Sequence, residues 1–389
     1  MPHFRWLTAG ESHGPGLVAI VDGVPAGLTL LAATIDDDLA RRQRGYGRGG
    51  RMKIESDRVT LQSGVRGGET IGGPIALLVE NRDFVSWQGR MGAAPFDAVP
   101  EPVVRPRPGH ADLAGGLKYD RRDLRDVLER ASARETAMRV AVGGVAKALL
   151  SAVGVELFAH VVSIGDVDAH AHETLDFKAL RDRSRASDLA CADAEAEAKM
   201  RDAILAASHA GDTLGGVFEV IATGAPIGLG SHVQWDRKLD GRLAQALMSV
   251  QAIKGVEIGM GFGAARARGS RVHDPIGWDD DQRAFTRSRN GAGGLEGGIT
   301  NGQPVVARAA MKPIATLRKP LESVHVDTKA RSDAAFERSD ICAVAAASVV
   351  GEAMVAITLA DALLEKFGGD SMKELLRNVE GYRAQVASY

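Results

Sequence analysis

The chain has 389 residues, 45% of them hydrophobic, with 48 Lys and Arg against 50 Asp and Glu and a formal net charge of −2. That length suits two or three average domains or one large one, and the apolar fraction supports a sizeable core. A balanced charge gives no global attraction to nucleic acid or to an anionic membrane, so any anion binding has to be local. Cys191 and Cys342 are too few for a disulfide framework and are expected as structural thiols of a reducing compartment. The opening residues MPHFRWLTAG lack the basic segment and apolar run of a secretory signal. The longest small-apolar stretch, Met138 to Val162, is broken by Arg139, Lys147 and Glu156. A soluble, cytoplasmic protein is expected.

In chain order, LVAIVDGVPAGLTL at 17–30, RVTLQSGV at 58–65 and GPIALLVE at 73–80 alternate branched apolar runs with turn residues and read as short strands. Residues 34–42, TIDDDLARR, read as a short helix capped by Thr34 or Asp36. From Phe84 to Gly116 the chain is rich in Pro, Gly and Arg without period and reads as a long ordered loop, a kind that tends to be functional or disordered. An Ala-rich helix is expected from Ser132 to Val153, others near 193–210 and 236–250, and a last long one from Ser339 to Lys366 that stops at Gly368–Gly369. The two longest helices consist largely of Ala, Val, Gly and Ser, and small residues let helix axes approach closely. They are expected to pack on each other in the centre with sheets outside, in one large α+β domain over 1–389.

Four segments combine reactive side chains with glycine or a helix start: GESHG at 10–14, RRQRGYGRGGR at 41–51, RPRPGHAD at 105–112, and the paired openings ERASARETA at 129–137 and ERSDICAV at 337–344. Ser132 followed by Glu135 reads as a capping box, with Arg130 and Arg134 beside the first turn. Ser339 or Asp340 would cap the last long helix, directly after Arg338. The unpaired N–H groups of a helix start and an adjacent arginine together make a local anion site; the plain alternative is an ordinary cap with solvated arginines. The arginines of 41–51 suit bidentate clamping of a small polyanion, against a solvated loop or an RNA-binding segment. His13 and His110, on glycine-containing loops, are either proton donors bordering one cavity or structural histidines. His170 and His172 have the spacing of two metal ligands but no evident third group, and read as solvated, so no metal is expected. GMGFGA at 259–264 matches a dinucleotide fingerprint, yet Gly269 and Pro275 interrupt the helix that should follow.

In order along nearly the whole chain, AGESHG, RRQRGYGRGGR, RPRPGHAD, ERASARETA, GDTLGG, QAIKGVEIG, GGLEGGITNGQP, MKPIAT and RSDICAV make the sequence resemble the chorismate synthase family. The resemblance implies a central layer of long helices between antiparallel sheets, assembled as a homotetramer. It also implies conversion of 5-enolpyruvylshikimate 3-phosphate to chorismate by 1,4-anti elimination of phosphate, with reduced FMN and no net redox change. His13 then corresponds to the histidine near the leaving phosphate, His110 to the one that protonates reduced flavin, and Asp340 to a carboxylate near flavin N5. FMN contacts would come from Arg130, Ala131, Ser132, Gln251, Ala252, Gly297, Arg338 and the run Lys312, Pro313, Ile314, Ala315 and Thr316. Ser12, Arg48, Arg107 and Arg134 would contact substrate, while Arg42 and Arg48 suit either NADPH, as reductant, or substrate. The family's usual proline after CAV is Ala345 in this chain, which leaves the start of the last helix open. An ordinary flavoprotein oxidoreductase that consumes NAD(P)H is the rival reading.

Overall fold

The apolar runs near the N-terminus form strands because every second side chain has a core to enter. In a computed structural model that describes residues 3–48, 56–170, 176–281, 283–337 and 339–389, β1 (Arg5–Ala9) pairs with β2 (Gly16–Asp22). Then come α1 (Ala32–Gln43), β3 (Val59–Leu61), a hairpin of β4 (Val65–Arg66) and β5 (Glu69–Thr70), and β6 (Ile75–Glu80). The first sheet is antiparallel in the order β1-β2-β6-β3. Leu17, Ala19, Val21, Ile75, Leu77 and Val79 point inward, while Leu7 and Ile20 of the other face stay 72% and 40% exposed. Neither Thr34 nor Asp36 caps α1, which starts after Leu31 with no side-chain cap; Asp36 instead accepts a hydrogen bond from the Val59 amide at 2.7 Å.

The stretch 84–116 is not a loop throughout: it holds α2 (Phe84–Met91) and the start of α3 (Asp112–Tyr119). Helix α2 buries no residue, so it has no apolar period for a sequence reading to catch. After α4 (Arg125–Ala131), Ser132 caps only a 3₁₀ turn, Ala133–Glu135, before α5 (Thr136–Ala152). The expected capping box is not made. The Glu135 carboxylate turns away from Ser132 to accept from Thr8 at 2.9 Å, Arg139 at 2.9 Å and Gln251 at 3.2 Å.

The second half supplies β7 (Glu156–Ile164), β8 (Val167–Asp168), α6 (Phe177–Ala186), α7 (Ala194–Ala210), β9 (Gly216–Thr223), α8 (Leu239–Met248), β10 (Ile253–Ile258) and α9 (Gly269–Val272). Two hairpins follow, β11 (Ile276–Asp279) with β12 (Ala284–Arg287) and β13 (Leu295–Glu296) with β14 (Ile299–Thr300). The chain ends with β15 (Val305–Met311), the hairpin of β16 (Glu322–Val324) and β17 (Arg331–Asp333), α10 (Val344–Phe367) and α11 (Met372–Ala387). The second sheet is antiparallel in the order β10-β15-β9-β7-β8. KGVEI is thus a strand, but one in an antiparallel sheet, and 261–266 after it is a 3₁₀ run rather than a dinucleotide-binding helix.

Helix α5 packs on β2 and β6 of the first sheet, α10 packs on β7 and β9 of the second, and the two helices pack on each other. One continuous core runs through these layers, which is the expected α+β arrangement of central helices between antiparallel sheets. By length and composition α10 could cross a membrane, but 94% of its apolar window is buried inside the protein. The closeness of the two helices depends on glycine: a Cβ on Gly143 of α5 would lie 2.3 Å from the Cβ of Ala353 on α10. Gly143→Ala is therefore expected to cost about 1–3 kcal/mol, read as a lowered midpoint in thermal unfolding.

Candidate active site

The GESHG segment is the connection between β1 and β2, and it is tied down at several points. The Asn81 side-chain amide donates to the Gly14 carbonyl at 2.8 Å and to that of Glu11 at 3.2 Å. Ser132 Oγ donates to the buried Ser12 Oγ at 3.3 Å. The His13 amide donates to Glu129 Oε2 at 2.8 Å, and its Nδ1 lies 2.9 Å from Glu129 Oε1. Glu129, buried at the end of α4, also accepts from Arg125 at 2.9 Å. Burial alone would raise the Glu129 carboxyl, but the hydrogen bonds and charge of His13, with Arg125, outweigh it and hold the group below its ordinary value. A carboxylate only accepts, so Nδ1 carries the proton of this pair. The imidazole is stacked on Trp87, with ring centroids 4.0 Å apart and planes inclined by 28°.

Behind this loop lies a cluster of arginines. Arg134 is buried and donates to Asn81 Oδ1 at 2.8 and 3.1 Å and to Asp57 at 2.6 Å. Arg42, at the end of α1, donates to Thr136 Oγ1 and to the Ala133 carbonyl, each at 2.9 Å. Among the described residues its buried Nη1 has no hydrogen-bond partner, and Asp57 is 3.6 Å away. Burial pulls the Arg42 guanidinium down to about 10, against the opposing pull of Asp57, so it remains charged at neutral pH. Arg48 pairs with Asp340 at 3.1 Å. Arg41 points elsewhere, into the core toward Glu352. Arg41 and Arg42 are thus packed at the end of a helix, unlike the arginines of a solvated or RNA-binding loop.

Asp340 does not cap α10, and neither does Ser339, since that helix begins at Val344 after Ala343 with no side-chain cap. Segment 339–343 instead crosses the protein as a strap: the Ile341 amide donates to the Gly47 carbonyl at 2.8 Å, and the Leu214 amide donates to the Ile341 carbonyl at 2.9 Å. Gly47 accepts this role at φ +81°, where a Cβ would lie 2.7 Å from Ile204. Ala345 is the second residue of α10, so the helix forms without the proline. Arg338, His172 and residues 49–51 of the arginine-rich segment lie outside the described residues. Among the described residues, no group of three or more His, Cys, Asp or Glu could hold a metal ion.

RPRPGHAD builds a second histidine–carboxylate pair. His110 Nδ1 is 2.6 Å from Asp112 Oδ1, and Arg107 grips the same buried carboxylate through Nε at 2.8 Å and Nη2 at 3.1 Å. Burial opposes ionisation of Asp112, but the hydrogen bonds from His110 and Arg107 prevail and hold it well below the usual carboxylate range. Arg107 Nη1 donates to Thr316 Oγ1 at 3.1 Å, and the Lys312 ammonium donates to the Gly109 carbonyl. A cleft of about 990 Å³ opens here, lined by Arg107 and His110, by Leu113 and Leu117 of α3, and by residues of β16 and β17. His13 does not line it, so the two histidines do not border this cleft together.

A run of contacts joins the two histidine pairs. Arg130 donates to the carbonyls of Thr8 and Gly10, Thr8 and Gln251 both donate to Glu135, and the Lys312 amide donates to the Ala252 carbonyl at 2.9 Å. Ala252 is held at φ +67°, and the neighbouring Gln251 Oε1 is buried with no hydrogen-bond partner among the described residues. Ala131 ends α4 beside Ser132, Ile314 accepts from Thr213 at 2.8 Å, and Pro313 and Ala315 flank it. Gly297 sits in the turn between β13 and β14, beside Gly298, whose carbonyl accepts from the first amide of α8, and Gln251 follows the last turn of that ten-residue helix.

Of the partners that matter here, Glu129 and Asp112 stood inside recognised motifs and could have been paired with their histidines. Asn81, Asp57 and Trp87 carry no local signal, because they reach the site only through the first sheet and α2.

A single α+β core presenting two histidine–carboxylate pairs and a buried arginine cluster is the build of an enzyme. The chorismate synthase family profile matches residues 4–364. Chorismate synthases of Symbiobacterium thermophilum, Geobacter sulfurreducens and Aquifex aeolicus are 58%, 57% and 54% identical to the chain, over 98–100% of it and 99–100% of their own lengths. A crystal structure of chorismate synthase superposes with a TM-score of 0.81 at 46% identity, covering 99% of both chains. The chain belongs to the chorismate synthase family and is a lyase.

Proposed function

We propose that the chain eliminates phosphate from 5-enolpyruvylshikimate 3-phosphate in the 1,4-anti sense to give chorismate, the last common step of aromatic amino-acid biosynthesis. The observation that carries this reading is the His13–Glu129 pair, on a loop tied through Asn81 to Arg134, whose partner Asp57 also faces Arg42. Arg42, Arg48 and Arg134 stand here with Asp57 and Asp340 as acidic partners, and guanidinium groups suit an anionic ligand. Glu129 stabilises the imidazolium of His13, whose Nε2 then gives a proton to the departing phosphate while Ser12 and Arg48 bind it. Arg42 and Arg48 serve an anionic group, whether of the substrate or of NADPH as reductant. Arg107 serves a substrate carboxylate, and Arg134 also holds the loop that presents His13.

The residues along the joining run fit FMN: among the described residues Gln251 Oε1 is a buried acceptor still to be satisfied, the next residue, Ala252, accepts from the Lys312 amide at the start of 312–316, and Gln251 and Ser132 both bond to Glu135. When bound there, reduced FMN would lend an electron, or accept hydrogen, and be restored within the same cycle. His110, oriented by Asp112, would donate a proton at the edge of the cleft, and Asp340, paired with Arg48, would serve as a relay.

The uncovered apolar face of the first sheet, with Leu7, Val18 and Ile20 exposed, supports self-association, and we extend the reading to a homotetramer. Two free buried cysteines fit a cytoplasmic setting. Under anaerobic conditions with reduced FMN and 5-enolpyruvylshikimate 3-phosphate, many molecules of chorismate are expected per flavin oxidised. A fixed ratio of one to one would mean an ordinary redox enzyme and would sink the reading.

A further inference from the structure

Helix α2 poses a question that the proposed reaction does not answer. None of its residues is buried, yet its Trp87 is stacked on His13 at 4.0 Å. The indole is held from several sides: its Nε1 donates to Asp83 at 3.3 Å, the Arg125 guanidinium lies 5.0 Å from the ring centre and that of Arg90 5.9 Å. Arg125 is also the residue that donates to Glu129, so one arginine contacts both partners of His13.

Two contacts are needed to fix an imidazole. The bond from Nδ1 to Glu129 sets one point in the ring plane, but the ring can still swing about that bond and carry Nε2 off line. A flat neighbour in parallel contact removes this freedom, and stacked rings are themselves attractive. We infer that Trp87 is a positioning residue for His13, fixing the ring plane while Glu129 fixes its tautomer, so that Nε2 points in one direction. The inference rests on the role given to His13 above.

The proposal predicts a loss of kcat with little change in KM for Trp87→Ala, of about ten- to a hundredfold, the scale of a small misplacement of a reacting group. Thermal stability should barely move, because α2 buries nothing. Trp87→Phe, which keeps a flat ring, should recover most of the rate. In a His13→Ala background, Trp87→Ala should cost nothing further, since the group it positions is gone. An equal loss in both backgrounds, or a loss confined to KM, would overturn the idea. A second arm uses the free protein and no substrate. The emission of Trp87, isolated by subtracting the spectrum of Trp87→Phe, should rise when His13→Ala removes the quenching imidazole. An unchanged emission would refute the stack even if the elimination is confirmed. A rise in emission from a protein that makes no chorismate would leave the contact standing and refute the proposed reaction instead.

Discussion

His13→Ala is expected to lower kcat by about a hundredfold or more, the usual contribution of a positioned general acid, with the fold intact by circular dichroism. The reason is local. No other titratable side chain among the described residues is bonded to Glu129 through a ring nitrogen, and the side chain of His13 is only 16% exposed, so solvent is a poor substitute. Glu129→Gln would keep a hydrogen-bond acceptor near Nδ1 but remove the charge that stabilises the imidazolium. Its effect should be smaller than that of His13→Ala and should fall on kcat rather than KM. A His13→Ala protein with unchanged kcat would remove this residue from the chemistry and leave the pair as a structural tie between the β1–β2 connection and α4.

The largest effect on stability is expected at Glu352, far from that loop. It is fully buried in the middle of α10, where Oε1 accepts from Arg41 at 2.9 Å and Lys147 at 2.8 Å, and Oε2 accepts from Arg41 at 2.8 Å and the Ala159 amide at 3.1 Å. Through these bonds one carboxylate joins α1, α5, α10 and β7. Replacing it with Ala leaves Arg41 and Lys147 with Asp38 as an acidic partner but removes the buried carboxylate they share and the acceptor of the Ala159 amide, and breaking a buried pair from one side typically costs about 3–5 kcal/mol. Denaturant unfolding should show this loss for Glu352→Ala and a smaller one for Glu352→Gln. The sign with pH follows from the direction of the shift. Burial opposes ionisation, but Lys147 and Arg41 outweigh it and hold Glu352 well below the usual carboxylate range. The ionised group therefore stabilises the fold fully above the unfolded-state value of about 4.3, and this is lost as pH falls toward the folded-state value. The gap between the native chain and Glu352→Gln should shrink with acid below that point; a gap that widened would contradict the pairing.

Arg41 shows how differently sequence and tertiary structure speak. It stands beside Arg42 in an arginine-rich run, and nothing local distinguishes them, yet Arg41 enters the core toward Glu352 while Arg42 turns to Thr136 and Ala133. Helix phase makes the difference. Successive residues point about 100° apart, so neighbours in the chain serve different surroundings.

By itself, the sequence determined the long helices of small residues, their central place, the first strands and the loops that carry His13 and His110, since these follow from composition, period and turn residues within a few positions. Family membership was legible too, because it rests on motifs in order. What only the tertiary structure decided were the partners. Glu135 looks like the second half of a capping box, but Thr8 and Gln251, from strands and turns more than a hundred residues away, compete for it. Asp340 looks like a helix cap, but backbone bonds to Gly47 and Leu214 hold its segment extended and bring it to Arg48. Trp87 looked like loop because its short helix buries nothing. A local pattern fixes which conformations a segment favours, whereas a buried polar group takes whichever partner the packed layers bring within hydrogen-bond reach, and that choice is set by contacts no stretch of chain contains.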